Sequence, residues 1–400
     1  MNNRISTGML YQQSIGTLQS RQATMAKLQQ QLASGQKLTT AKDDPVGAGS
    51  AVGLDRTLAE LERFGANSNT VRHRLNTQEN ALAQAGEVMG RLQVLTVQAN
   101  NGALAEGDRR AIAAEVRSLR DALFDIANTA DGTGRYLFGG NQDGAPPFAR
   151  AAGGVAYSGD QTQRRVEIAP SMFAADALPG SEIFLRVRTG DGRVDAAAVA
   201  GNTGSGQVDG FGVADADRWN GGSYRVVFAA DGVYDIHDAD GVAVAGGTLV
   251  PGEPVTVDGL RLSITGVPAA GDAFAIGPAG TRDVFATIDN LLQGLTMPAG
   301  TDAQRATQQE TLRSALRDIA SAEAHMIDAR AAGGAQLAAL EQADELRASF
   351  GVTVQETLSG LRDLDYADAI TRFNLEKVAI EAAQLSFVQM QRLSLFNLIR

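Results

Sequence analysis

Metal or acid–base chemistry in this chain would have to come from three histidines and a few clustered acids. A histidine zinc site needs ligands at close, helix- or turn-compatible spacing. His73, His237 and His325 are far apart, and none stands in an HxH or HExxH pattern. The chain has no cysteine, which excludes disulfides, thiolate metal sites and cysteine nucleophiles. The densest cluster, DIHDADG at 235–241, lacks the further ligands and terminal Glu of a calcium loop and reads as a hairpin turn. Asp43 and Asp44 form a carboxylate pair, but no pocket-forming sequence surrounds them. GxSxG, GxxxxGK[ST] and a GxGxxG opening a helix after a strand are all missing, and GNTGSG at 201–206 reads as a loop. The expectation is a protein without catalytic residues, cofactor or metal.

The chemistry on offer is therefore that of surfaces. Net charge is −11, which gives no reason to expect nucleic acid as a partner. Residues 1–42 hold five basic residues and no acid, whereas residues 143–283 hold 18 acids and 10 bases. No stretch reaches ~18 apolar residues, so no membrane span is expected. The first thirty residues carry Gln, Ser and Thr throughout, unlike the apolar run of a cleaved secretion signal.

Glycine and proline divide the chain. Residues 139–280 hold 26 of 45 Gly and 8 of 10 Pro, leaving the flanks free to form long helices. The first helix is expected at about 6–33, with Tyr11, Leu18, Met25 and Leu32 seven apart and Ile15 and Leu28 on the same side. Gly35 is placed to cap it. TTAKDDPVGAGS then reads as non-helical. A second helix at about 54–100 carries a heptad seam. Leu61, Leu75, Leu82 and Met89 hold one position; Phe64, Val71, Ala85 and Leu92 hold the position three residues on. Ser68 and Gln78 interrupt it. A third helix is read at about 107–130, and further helices after 284.

The middle reads as strands. SYRVVFA, GVYDIHD, EPVTVDG, LRLSITG and DAFAIG are short and β-branched, with hairpin signals at Asp231-Gly232, Asp240-Gly241 and Asp258-Gly259. Residues 196–222 are too rich in glycine to assign. The last helix, at about 358–398, carries apolar residues at Leu375, Val378, Leu385, Val388, Leu395 and Phe396. Ile370, Phe373, Ile380, Phe387 and Ile399 add a surplus. Helix 1 is too poor in apolar surface to fold alone, so the two terminal helices are expected to pair. Tyr11, Ile15, Leu18, Met25 and Leu32 would meet Leu375, Val378, Leu385, Val388 and Leu395 only when neighbouring subunits are present, the surplus facing other copies or other subunits. The fold class is thus mainly α, with long antiparallel coiled-coil helices from paired terminal segments and an inserted all-β domain.

At both ends the sequence resembles a known family. QQQLASGQKLTTAKDDPVGAGSAVGLDRTL and LSGLRDLDYADAITRFNLEKVAIEAAQLSFVQMQRLSLFNLIR are similar to the termini of flagellin-type axial proteins. RISTGMLYQQSIGTLQSRQ, DDPVGA with Pro45, RYLFGGNQ at 135–142 and LSLFNLI resemble the hook-associated protein 3 family more than flagellin itself. The β segment WNGGSYRVVFAADG…ITGVPAAGDAFAIGP resembles modules shared among hook-associated proteins.

The resemblance implies three layers: residues 1–45 with 358–400 as a terminal inner coiled coil, 46–142 with 281–357 as a helical rod domain, and 143–280 as an outer variable β domain. It implies a secreted structural subunit of the flagellum, exported by the type III apparatus without a cleaved signal. Its place would be the extracellular hook–filament junction. Implied partners are other copies in a ring, the first hook-associated protein, flagellin and an export chaperone on the C-terminal helix. A filament flagellin is the alternative. An enzyme carried by the β domain and a generic coiled-coil adhesin or needle protein have less support.

Overall fold

The structure, a computed structural model, describes residues 7–102 and 104–396; the side chains at 7, 8, 10, 231, 303 and 390–396 lie outside the description. Helix α1 spans Thr7–Ser34, α2 Pro45–Ala99 and α3 Glu106–Ala127. Helix α4 spans Val284–Thr296, α5 Asp302–Arg362 and α6 Tyr366–Phe396. The β-rich insertion lies between α3 and α4, as the fold class expected. The chain divides into two compact units, 1–66 with 343–400 and 67–342.

Two helix boundaries differ from the sequence reading. Helix α2 begins at Pro45 rather than near residue 54, so VGAGS is helical. Asp44 sits outside the helix, and its Oδ1 accepts from the backbone N–H of Val46 at 3.1 Å and Gly47 at 2.9 Å. Proline is well suited to the first helical position, where its missing N–H has no partner to lose. The second difference is at the C-terminal end. The helix expected from 358 is two helices, because α5 runs on to Arg362 and a new start follows at Tyr366. Asp365 Oδ1 caps that start, accepting from Ala367 N at 2.9 Å and Asp368 N at 3.1 Å.

In the first unit, the turn after α1 binds the turn between α5 and α6. Lys37 N donates to Arg362 O at 2.8 Å and Leu364 N donates to Gly35 O at 3.0 Å. Gly35 has φ +70°, and a Cβ there would lie 2.8 Å from the Tyr366 hydroxyl. Both the backbone conformation and the close approach therefore require glycine.

The second unit holds two separate apolar cores. The helical core joins Leu82, Met89 and Leu92 of α2 to Ile112, Val116 and Leu123 of α3 and to Ile288, Leu291, Ile319 and Met326 of α4 and α5. The expected α2 seam is buried throughout, including Ser68 and Gln78. Gln78 is a polar interruption with a use: its Oε1 accepts from Leu178 N at 2.8 Å. The aromatic rings Phe138, Phe148, Phe184 and Phe285 pack into this same core, with centroids 5.3–6.3 Å apart in the Phe138–Phe184, Phe148–Phe184, Phe148–Phe285 and Phe184–Phe285 pairs. The first part of the insertion thus packs on the helices. It forms two hairpins, β1 (Phe148–Ala151) with β2 (Gly154–Tyr157) and β3 (Arg165–Ala169) with β4 (Met172–Ala175).

A buried ion cluster locks this region. Arg74, from α2, places Nη1 2.7 Å from Asp131 Oδ2 and Nε 3.0 Å from Asp176 Oδ1, with Asp143 Oδ2 at 3.9 Å. Arg164 Nε donates to Asp176 Oδ2 at 3.0 Å.

The remaining strands are β5 (Val187–Arg188), β6 (Val194–Ala198), β7 (Gln207–Val213), β8 (Tyr224–Phe228), β9 (Val233–His237), β10 (Ala243–Thr248), β11 (Val255–Val257), β12 (Leu260–Thr265), β13 (Ala273–Pro278) and β14 (Thr281–Arg282). They form a five-stranded antiparallel sheet in the order β10-β9-β8-β13-β6, a three-stranded sheet β11-β12-β7 and a short β14-β5 ribbon. The two larger sheets close over Val208, Val226, Phe228, Leu260, Leu262 and Phe274 as a sandwich core. All three Asp-Gly signals sit at hairpins. Asp258 and Gly259, at φ +41° and +83°, connect β11 to β12 in the left-handed geometry a two-residue hairpin loop demands. The unassigned glycine-rich stretch contains β7. Its glycines are tolerated because the strand is held by pairing to β12, where Gly210 opposes Ser263 and Gly212 opposes Arg261.

Candidate assembly surface

The residues with possible chemistry are all in structural use. His237 Nδ1 lies 3.1 Å from Gly241 O, and Asp238 Oδ1 accepts from Asp240 N and Val242 N, closing the DIHDADG hairpin. His73 Nε2 is 3.1 Å from Asp131 O and His325 Nε2 is 2.7 Å from Glu182 O, so both bridge segments rather than lie free on a helix face. Asp43 is held by Lys27 Nζ at 2.8 Å and accepts from the Thr39 hydroxyl at 2.9 Å. The Lys27 ammonium first, then the Thr39 hydroxyl, keep its carboxyl well below the usual carboxylate range. Among the described residues, no three His, Cys, Asp or Glu side chains are placed to hold a metal ion, and no helix is long and apolar enough to cross a membrane.

The terminal helices do pair, antiparallel. Tyr11 and Phe387 pack as a tilted ring pair with centroids 5.0 Å apart, and Arg21 Nη1 lies 3.2 Å from Glu376 Oε1. From α1, Ile15, Leu18, Met25, Leu28 and Leu32 are half-buried along one face, while Tyr11 keeps 41% exposure. The α6 face they meet is not the expected one. Ala369 and Ile380 are buried, and Phe373, Glu376, Ala383 and Phe387 are half-buried. Leu375, Val378, Leu385 and Val388 are exposed at 66%, 62%, 69% and 45%. The intrachain partners of α1 are therefore Phe373, Ile380 and Phe387, and the stripe expected to meet α1 is the surplus. Leu395 and Phe396 belong to α6, but their side chains, like Ile399 as a whole, lie outside the described residues.

The reason for the exchange is geometric. Phe373, Ile380 and Phe387 recur every seven residues. Leu375, Val378 and Leu385 each stand two residues from one of these three. At about 100° per residue, two residues turn roughly 200°, so the two stripes lie on nearly opposite sides of the helix. Periodicity finds both and ranks neither. The missing signal was charge and size: Glu376, the acid that meets Arg21, and the small Ala369 and Ala383 all lie on the packed side. A helix apolar on two opposed faces is one that expects burial on both. Covering what remains exposed of each side chain on the outer stripe would contribute the corresponding part of about 1.5–3 kcal/mol, and an unpartnered apolar stripe of this kind marks an interaction surface.

Comparison with known proteins agrees with this picture. The family model for the bacterial flagellin N-terminal helical region matches residues 5–143. The chain is 25% identical to flagellar hook-associated protein 3 of Escherichia coli over 396 residues, covering 99% of each. The crystal structure of Xanthomonas campestris FlgL is 51% identical with a TM-score of 0.71, covering 76% of this chain and 99% of that one. The flagellar junction protein FlgL of Legionella pneumophila is 26% identical with a TM-score of 0.68, covering 78% and 100%. Flagellins match only in part: flagellin B of Vibrio cholerae is 32% identical over 117 residues, 29% of this chain. A relative half identical and matched along almost its whole length settles the family: the chain belongs to the FlgL family of flagellar hook-associated proteins.

Proposed function

We propose that this chain is a structural adaptor of the bacterial flagellum at the hook–filament junction, joining the first hook-associated protein to flagellin as a ring of copies. The observation that carries the reading is the end-to-end match to hook-associated protein 3, set against the match to flagellin B of Vibrio cholerae, which spans 29% of the chain. Its relatives are structural flagellar proteins, in keeping with a non-enzymatic role. The chain acts outside the cell, exported through the flagellar type III apparatus without a cleaved signal, with a cytoplasmic chaperone covering the C-terminal helix beforehand. Residues 1–45 with 358–400 form the inner layer, 46–142 with 281–357 the rod layer and 143–280 the outer domain.

Assembly runs through the terminal helices. Tyr11, Ile15, Leu18, Met25 and Leu32 hold α6 within the chain, and Leu375, Val378, Leu385 and Val388 meet neighbouring subunits. The bare outer stripe of α6 supports this assignment. Deletion of the gene, with flagella viewed by electron microscopy, tests the function. Bare hooks with flagellin shed into the medium are expected. Intact hooks carrying filaments would overturn the adaptor reading, and long filaments grown from the purified protein alone would favour a flagellin.

A further inference from the structure

The sandwich is fastened to the helical core by polar groups rather than by a shared apolar core. The chain crosses between the two only through the β5–β14 ribbon, where Arg188 pairs with Thr281 and Val187 with Arg282. Beyond β5 the path turns at Gly190 and Gly192, with φ +64° and +84°. Along one face of α5, side chains reach the sandwich and the ribbon. Glu310 Oε2 accepts from Val208 N at 3.2 Å, Arg317 Nη2 donates to Ala196 O at 3.4 Å, and the Ser321 hydroxyl donates to Arg188 O at 2.6 Å. The fit is incomplete: Arg313 Nη1 and Arg317 Nε are buried without a hydrogen-bond partner.

One residue touches both crossing segments. Asp318, 3% exposed, accepts from Gly190 N at Oδ1, 3.0 Å away, and from the Arg282 guanidinium at Oδ2. Gly190 follows the outgoing strand and Arg282 ends the returning one. Beside this fastening, a cleft of about 760 Å³ opens between α5 and the sandwich, with Gly192, Gly210, Ala320 and Ala324 on its walls. Arg186, Phe211, Arg317 and His325 line the same cleft.

We propose that Asp318 is the pin of a hinge, a single carboxylate that ties both sides of the β5–β14 ribbon and so sets the rest position of a sandwich able to swing against the helical core. The seam has the properties of a hinge contact. It is polar, partly unsatisfied and backed by open space, so its opening exposes little apolar surface. Packed helices and a sandwich with its own core move as two rigid bodies about the few residues that join them.

The absence of cysteine makes the test direct, because two introduced cysteines carry spin labels without background. Ser118→Cys on α3 and Ala239→Cys in the β9–β10 turn serve as the label sites. The 85 residues from Val194 to Pro278 make a module about 30 Å across. A swing of about 15° then moves its far end by about 8 Å. In the labelled full-length chain, Asp318→Ala is expected to broaden or shift the distance distribution by several ångström. Trp219, whose indole donates to Gly222 O within the sandwich, should keep its native emission. Ser321→Ala, which removes a seam bond and leaves the pin, should give a distribution close to the parent. An Asp318→Ala distribution that superimposes on the parent overturns the proposal, as does a Ser321→Ala variant that broadens equally. If Asp318→Ala alters the Trp219 emission, Arg282→Gln decides by the same measurement: it frees one strand, so broadening supports the pin and an unchanged distribution refutes it.

Discussion

Replacing Arg74 by Met isolates a buried charge effect in the second unit. The guanidinium has 5% side-chain exposure, and its carboxylate partners Asp131, Asp176 and Asp143 have 5%, 4% and 8%. Its removal deletes the charge-assisted bonds to Asp131 and Asp176 and leaves those carboxylates in the interior. Breaking a buried pair by removing one partner costs about 3–5 kcal/mol. Arg164, 2.5 Å from Asp176 and 3.6 Å from Asp143, still compensates two of the three acids. The lower half of that range is therefore expected, about 3–4 kcal/mol. For a unit of this size each kcal/mol shifts the melting point by about 2–4 °C, so the expected drop is about 6–16 °C. Thermal melting by circular dichroism at neutral pH measures it. Adding Asp131→Asn to Arg74→Met removes the one acid left without a guanidinium partner and should recover part of the loss. A drop under about 2 °C, or no recovery in the double variant, would refute the argument that the cluster works through uncompensated burial.

The terminal helices and the buried acids respond to different probes. Phe387→Ala should release α1 from α6, read as faster hydrogen exchange in α1, whereas Leu385→Ser on the outer stripe should leave that exchange unchanged yet abolish assembly at the hook tip; equal behaviour of the two would contradict the assignment of faces. The pH dependence has two opposed contributions. Burial raises the Asp131 carboxyl, but Thr133, Arg74 and Arg135 outweigh it and leave it at about 2. A folded value below the unfolded one contributes stability above about pH 4 that is lost as pH falls toward 2. Burial pushes Asp318 and Glu310 upward against Gly190 N–H and Arg282 on one, and Arg317 on the other, with Asp195 adding to the rise at Asp318. Their contribution is fully present below the unfolded value and fades as pH rises through the folded one. Asp318→Asn should thus flatten the mildly acidic side of the stability profile and leave the steep loss near pH 2–4 in place, checked by urea melts across pH.

Most of the architecture was written in patterns that depend on neighbours along the chain. The α2 seam, the β hairpins at Asp-Gly and the terminal pairing rest on heptads, alternation and turn chemistry, which act locally. What escaped depends on contacts distant in sequence, with two exceptions, the helix starts capped by Asp44 and by Asp365. Helix α2 begins at Pro45 because Asp44 caps it, a reading the proline itself allowed once placed at the first helical position. Phe148 and Phe184 join the helical core rather than the sandwich, and nothing in their flanking residues says so. The side of α6 that meets α1 was decided by Arg21 with Glu376 and Tyr11 with Phe387, pairs more than 350 residues apart.

The polar seams and the bare apolar stripe have different physical roles. The centre of the Arg74 cluster is buried and resists change, because any partial opening leaves a buried charge unpaired. The α1–α6 contact is shallower: Tyr11 packs on Phe387 yet is two-fifths exposed, and the ion pair leaves Arg21 39% accessible. Such a pair, with about one apolar residue per turn half-buried, offsets little of the ordering entropy of a long helix. The outer stripe of α6 then supplies in an assembly what the isolated chain lacks. Each of Leu375, Val378, Leu385 and Val388 can contribute at most the part of about 1.5–3 kcal/mol that corresponds to its remaining exposure. In the proposed assembly role, that gain reaches the chain only when a second surface covers the stripe, which would couple firm ordering of the terminal helices to incorporation into the flagellum. Under that proposal, weak pairing inside the chain and apolar surface outside it are two halves of one device.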